Sequence, residues 1–381
     1  MPQITDARLI DGARVDLTIA AGRIAAITPH AGGRGDTHLA GALLLPGLIE
    51  GHVHLDKTLM GLPWRPHAAA PNVQGRIEHE RENRASLGPV QPRARALLAR
   101  MIANGTTALR THTDIDDACG LANFHAVLEV ATEFRAILPI EIVAFPQSGI
   151  VTRPGVAGLL DAALREGADL VGGLDPATID GDASGHLDIV FALAARHGKG
   201  IDIHLHDRDP GGNAQLRDIA ARSHAAGMHG RVTVSHAFSL GTDDADDFSR
   251  TADALAHGGV AILTSAPGPI AMPPVKPLRA RGVTIFGGND NIRDLWSPWG
   301  NGDMLERAWM IAQRQGFRSD EDLAIAFDVC TAAGARMLGL PEHGIHVGAR
   351  ADFVAVPAET LAEAIAERPP GRQTWINGIK R

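Results

Sequence analysis

Eight short apolar segments recur along the chain, separated by stretches of helical apolar spacing, and this alternation constrains the fold more than any other feature. The first is the run Leu43-Leu-Leu-Pro-Gly-Leu-Ile-Glu-Gly-His-Val-His54, read as a buried strand. The others lie at 107–112, 140–145, 170–174, 200–204, 232–236, 260–264 and 283–287. Between them, 92–103, 187–197, 215–226 and 245–257 carry helix-period apolar residues and stop near glycine. Repeated β-α units form parallel sheets, and eight of them close most naturally into an α/β (β/α)8 TIM barrel over residues 45–340.

Outside that span the pattern changes. Residues 1–42 alternate short apolar and polar stretches, with Asp11-Gly12 and Ala21-Gly22 punctuating them as hairpin turns of a small β layer. Residues 351–357 and 374–379 again read as short strands. The glycine cluster at 32–35 has no strand-to-helix context and reads as a loop. Residues 63–71, with Trp64 and His67, read as the loop after the first strand, overhanging the barrel mouth.

Composition narrows the function classes. The 381 residues are 45% hydrophobic and 21% charged, ordinary globular usage. A net charge of −8 without a basic run argues against a nucleic-acid surface. The two cysteines, Cys119 and Cys330, are far apart and suggest neither a disulfide framework nor a cysteine zinc site, only small buried side chains. The first residues show no signal peptide, and no apolar run reaches membrane-spanning length. A cytoplasmic enzyme acting on a small molecule fits best; assembly into a homo-oligomer stays open.

Polar residues cluster at the strand ends, where barrel enzymes place their chemistry. Side chains at i and i+2 share a face, so His52 and His54 leave the first strand side by side. The fifth strand ends in His204, the sixth in His236, and the eighth is followed by Asp290. Ionisable residues are costly inside a barrel unless paired or bound to metal. His52, His54, His204 and Asp290 would hold one metal ion and leave a place for hydroxide, with His236 as its hydrogen-bond partner or as a further ligand. Asp290 would be ligand and proton acceptor at once.

These motifs resemble the amidohydrolase superfamily and, within it, the cytosine deaminase-like branch. The resemblance rests on Pro46-Gly-Leu-Ile-Glu-Gly-His-Val-His-Leu-Asp-Lys57, Arg110-Thr-His-Thr-Asp114, Val143-Ala-Phe-Pro-Gln-Ser-Gly149, His204, Val234-Ser-His236 and the stretch from Gly288 to Met304, spread over nearly the whole chain in the family's order. It implies a small composite β-sandwich domain built from residues 1–44 and 341–381. It also implies one divalent ion, zinc or iron, on His52, His54, His204 and Asp290, with Gln147 bonding the ring edge of a pyrimidine or triazine and His236 beside the hydroxide. A bridging lysine on the fourth strand, the mark of binuclear relatives, is missing: the four lysines are Lys57, Lys199, Lys276 and Lys380.

Departures from cytosine deaminase fall in the substrate loops. Where that family has a glutamate three residues after the metal histidine, this chain reads His204-Leu-His-Asp-Arg-Asp209, leaving His206 or Asp207 as the acid/base. N-isopropylammelide amidohydrolases are similar in this loop. A second acid after Asp290 is replaced by Asn291, and Lys57 stands where a small hydroxyl residue is usual. Lys57 either binds a substrate group or pairs with Asp56 or Asp114, and Trp296 or Trp299 walls the pocket. The reading that follows is a metal-dependent hydrolase removing ammonia or an alkylamine from an N-heterocycle of cytosine, isocytosine or aminotriazine type. The rivals are a cyclic amidase and a catalytically silent binding module. The cytidine-deaminase zinc fold is excluded, since its Pro-Cys-x-x-Cys signature is absent.

Overall fold

The computed structural model describes residues 1–68, 72–208 and 211–381. Its centre is a barrel of eight parallel strands, each bonded to its sequence neighbour. In chain order barrel strands 1 to 8 are Leu48–Val53, Thr106–Asp114, Ile140–Phe145, Leu170–Leu174, Gly200–Leu205, Val232–His236, Val260–Thr264 and Ile285–Gly287. Strands buried on both sides read as continuous apolar runs, which is why the segments could be found by eye.

The intervening helices have clear start and stop chemistry. Asp182, Asp244 and Asp303 accept from backbone N–H groups at the first turns of helices Ala183–His197, Ala245–Gly258 and Met304–Gln315. Each ends at a left-handed glycine, Gly198, Gly259 or Gly316.

The barrel closes through one parallel bridge between Val53 and Asp290, with the Asp290 N–H donating to the His52 carbonyl at 2.7 Å. Closure this tight needs a residue without a side chain: a Cβ on Gly288 would lie 2.5 Å from the His52 nitrogen.

Both ends of the chain meet in a second, separate sheet. Leu43–Pro46 runs parallel to Gln3–Arg8 and antiparallel to Phe353–Val356, which in turn pairs with Gln373–Ile376. The two expected hairpins are present, joining Gln3–Arg8, Arg14–Ala20 and Arg23–Pro29. The second turns through Ala21 and Gly22, both at positive φ. By hydrogen bonding the strands form one continuous eight-stranded sheet.

The run from Leu43 is also not a single strand. It breaks at Pro46-Gly47, so the barrel starts at Leu48 and the small sheet keeps residues 43–46. Alternation then divides the leucines: Leu43 and Leu45 pack in the barrel's apolar cluster, Leu44 in that of the small sheet with Phe353 and Trp375.

Among the described residues no helix is long and apolar enough to cross a membrane. Residues 69–71 of the expected mouth loop, and Asp209, lie outside the described residues. The described part of that loop sits off the main cavity, with Trp64 and His67 lining a separate hollow against Arg293. Cys330 is buried, Cys119 half-buried, and burial pushes both thiols up.

Candidate metal centre and substrate cavity

The four expected ligands converge. Single donor atoms of His52, His54, His204 and Asp290 lie within 4.8 Å of one another. Asp290 Oδ1 is 3.5 Å from His52 Nε2 and 3.4 Å from His54 Nε2. His52 Nε2, His54 Nδ1 and both ring nitrogens of His204 are buried without a hydrogen-bond partner among the described residues. Such orphaned acceptors are costly unless something binds them.

Burial holds His54 below the ordinary histidine pKa and His204 well below it, which keeps their lone pairs free. Burial would raise the Asp290 carboxyl, but the rings of His236, His52 and His54 beside it hold it well below the usual range. Three imidazoles and a carboxylate are a donor set suited to a divalent ion of the first transition row or zinc. Asp290 and His236 both have left-handed backbones, φ 64° and 74°, as does Asp175 at 35°. Strained residues of this kind gather at functional sites.

A cavity of about 400 Å³ opens above the centre. Phe145, Leu174 and Phe238 give it apolar walls, and Gln147, His206, His236, Asn291 and Trp296 give it polar ones. Lys57 reaches its edge, but it donates to Gln147 Oε1 at 2.9 Å and Glu80 Oε2 at 3.0 Å and forms an ion pair with Asp114 Oδ1 at 3.2 Å. Burial alone would lower its pKa; the carboxylates of Asp114, Glu80 and Asp56 outweigh that and raise it. Lys57 therefore acts on a ligand through Gln147, whose Oε1 it occupies and whose buried Nε2 is left without a partner among the described residues.

Trp296 donates its indole N–H to the same Glu80 and lies over Lys57, with Nζ 4.8 Å from the ring centre. Glu80 belongs to helix Val73–Asn83, so these contacts bind that helix down beside the cavity. Asn291 gives its Nδ2 to Asp294 at 2.7 Å, which leaves Oδ1 as its free acceptor. Trp299 is 78% exposed and is not a wall.

The structure separates the two acid/base candidates. His206 lines the cavity, stacked on His236 with ring centres 4.4 Å apart, and its Nδ1 meets Asp175 Oδ2 at 2.8 Å. Burial would lower its pKa, but Asp175 outweighs this and raises it. Asp207 points elsewhere, accepting from the Thr178 hydroxyl and from Gln215 Nε2. Both nitrogens of His236 lack partners among the described residues.

Sequence reasoning missed Asp175, Glu80 and His112. Asp175 follows strand 4 directly, so the rule that found His204 and His236 also applied to it. His112 is fully buried near the end of strand 2, stacked on His52 at 3.9 Å. Glu80 had no local signal, since its partner Lys57 is 23 residues away.

Comparison with known proteins bears on this site. Residues 38–379 match the Amidohydrolase family. N-isopropylammelide isopropylaminohydrolase from Burkholderia multivorans superposes with a TM-score of 0.94 at 43% identity, covering 99% of this chain and 97% of that one. N-isopropylammelide isopropyl amidohydrolase from Pseudomonas sp. strain ADP is 32% identical over 86% of this chain and 83% of its own. 5-Methylcytosine deaminase from Klebsiella pneumoniae, liganded with 5-fluorocytosine, gives a TM-score of 0.88 at 26% identity, covering 99% and 96%.

Proposed function

The chain belongs to the amidohydrolase family, and from that premise we propose that it hydrolyses the exocyclic C–N bond of an amino- or alkylamino-substituted N-heterocycle carrying a ring carbonyl, of aminotriazine or aminopyrimidine type. The observation that carries this reading is the fixed polarity of the cavity wall. Lys57 claims Oε1 of Gln147 and Asp294 claims Nδ2 of Asn291, so the wall offers an N–H donor at Gln147 and an acceptor at Asn291. A lactam edge, C=O beside N–H, complements that pair. The apolar walls suit a flat ring.

His52, His54, His204 and Asp290 would hold one divalent ion, zinc or iron. Both carboxylate oxygens of Asp175 are engaged by His206, so strand 4 offers no bridging ligand for a second ion. The bound ion supplies Lewis acidity and makes water nucleophilic at neutral pH. Asp290 keeps its carboxylate charge and accepts a proton from the attacking water on Oδ2. His236, with two uncommitted ring nitrogens, orients that water. His206, backed by Asp175 on Nδ1, gives the proton on Nε2 to the departing amine. Water adds to the ring carbon, the C–N bond breaks, ammonia or an alkylamine leaves, and the hydroxyl proton passes to the adjacent ring nitrogen, leaving a ring carbonyl.

The test is amine or ammonia release by metal-analysed enzyme against aminotriazinones, cytosine, isocytosine and cyclic amides, with Asp290→Ala as control. Metal-dependent release lost in the variant supports the reading. Ring opening without amine release would move the protein to the cyclic amidases.

A further inference from the structure

We propose that Ser235 is a positioning residue that fixes the tautomer of His52, held in that role by a buried chain running from Asp202 through Arg110 to the far end of the barrel. This rests on His52 being a metal ligand. Ser235 Oγ lies 3.0 Å from His52 Nδ1 and 2.7 Å from Asp202 Oδ1. A hydroxyl has one proton, and an ionised carboxylate can only accept, so the Ser235 proton goes to Asp202. The Oγ lone pair must then accept from His52 Nδ1–H. That assignment leaves Nε2 of His52 bare, and Nε2 is the orphaned atom that faces Asp290.

The chain behind Ser235 leaves Asp202 little choice. Arg110 Nη1 donates to Asp202 Oδ2 at 2.9 Å, and the same guanidinium bonds Glu141 at 2.9 Å, Thr233 Oγ1 at 3.2 Å and the Met337 carbonyl at 3.2 Å. The residues come from strands 1, 6, 5, 2 and 3, so the chain crosses the barrel interior rather than following one element. His52, Ser235 and Asp202 are fully buried and Arg110 nearly so. His112, stacked face to face on His52, fixes the plane of the same ring from another side. A buried arginine–aspartate pair is a poor source of stability compared with an apolar core. What it supplies here is a negatively charged anchor that the serine proton cannot leave.

The experiment compares zinc binding by wild type, Ser235→Ala and Ser235→Thr. Chelator competition gives the affinity, the visible spectrum of the cobalt-substituted protein reports ligand geometry, and melting of the metal-free protein reports the fold. We expect Ser235→Ala to weaken zinc binding by about 10- to 100-fold, the usual effect of losing a partner behind a metal ligand. The cobalt spectrum should change while the metal-free protein still melts cooperatively, and Ser235→Thr should restore binding. Wild-type zinc affinity in Ser235→Ala, with an unchanged cobalt spectrum, would overturn the proposal and leave the hydrolase reading intact. Failure of wild type to bind zinc, cobalt or iron(II) at all would remove His52 as a ligand, and both readings with it.

Discussion

Lys57 donates a hydrogen bond to Gln147 Oε1 across 2.9 Å, so the amide of Gln147 can turn only its N–H group to the cavity. Lys57→Met would remove that constraint and strip Glu80 and Asp114 of their buried ammonium partner. The variant should lose about 3–5 kcal/mol of stability, the usual cost of removing one partner from a buried pair. Thermal melting measures that loss, and kcat/KM should fall more than it does for Arg65→Ala, a change at an exposed arginine outside the cavity.

His206 and Asp207 are adjacent in sequence but serve different ends. Asp207→Asn alters contacts to Thr178 and Gln215 and should leave kcat within a few-fold of wild type. His206→Asn should cost roughly 10²- to 10⁴-fold in kcat, the range for a general acid. Asp175→Asn should fall between them, with metal content unchanged, and steady-state kinetics with metal analysis on each variant separates the cases.

Removing the metal should destabilise the folded chain by mass action. An ion at 1,000 times its dissociation constant contributes about 4 kcal/mol. Calorimetry before and after dialysis against a chelator should show a lower Tm, restored by zinc or iron(II).

Acid stability has a nameable contributor. Burial would raise the Asp116 pKa, but Arg84 and the Cys119 backbone N–H outweigh it and bring the value down to about 2. A folded pKa below the unfolded one means that the stabilisation is complete above the ordinary carboxylate range and is lost as pH falls from about 4 to about 2. It amounts to about 2 kcal/mol at neutral pH. Asp116→Asn should flatten denaturant midpoints across that window.

Much of this was legible because two periodicities carried it. Strands buried on both faces appear as apolar runs, and a period of two puts His52 beside His54. Asp290 was legible only as the polar residue after the last strand; its bond to the His52 carbonyl depends on barrel closure. Helix Val73–Asn83 was not legible, since only Ile77 and Glu80 are buried on it and no apolar stripe marks it. Asp175 directly follows its strand, but its role comes from His206, 31 residues further along. The break at Pro46-Gly47 was hidden because Leu43, Leu44 and Leu45 are all buried, in two different cores.

The seam between the last strand and the first has a consequence for assembly. Asp290 reaches the ion site from one side of the seam and His52 and His54 from the other. A slip of one residue along strand 1 would turn both histidines out of the centre and bring their neighbours in. An ion that needs all of these ligands rewards only the correct alignment. Metal uptake would thus proofread the pairing that closes the barrel, discriminating against barrels that have closed one residue out of step.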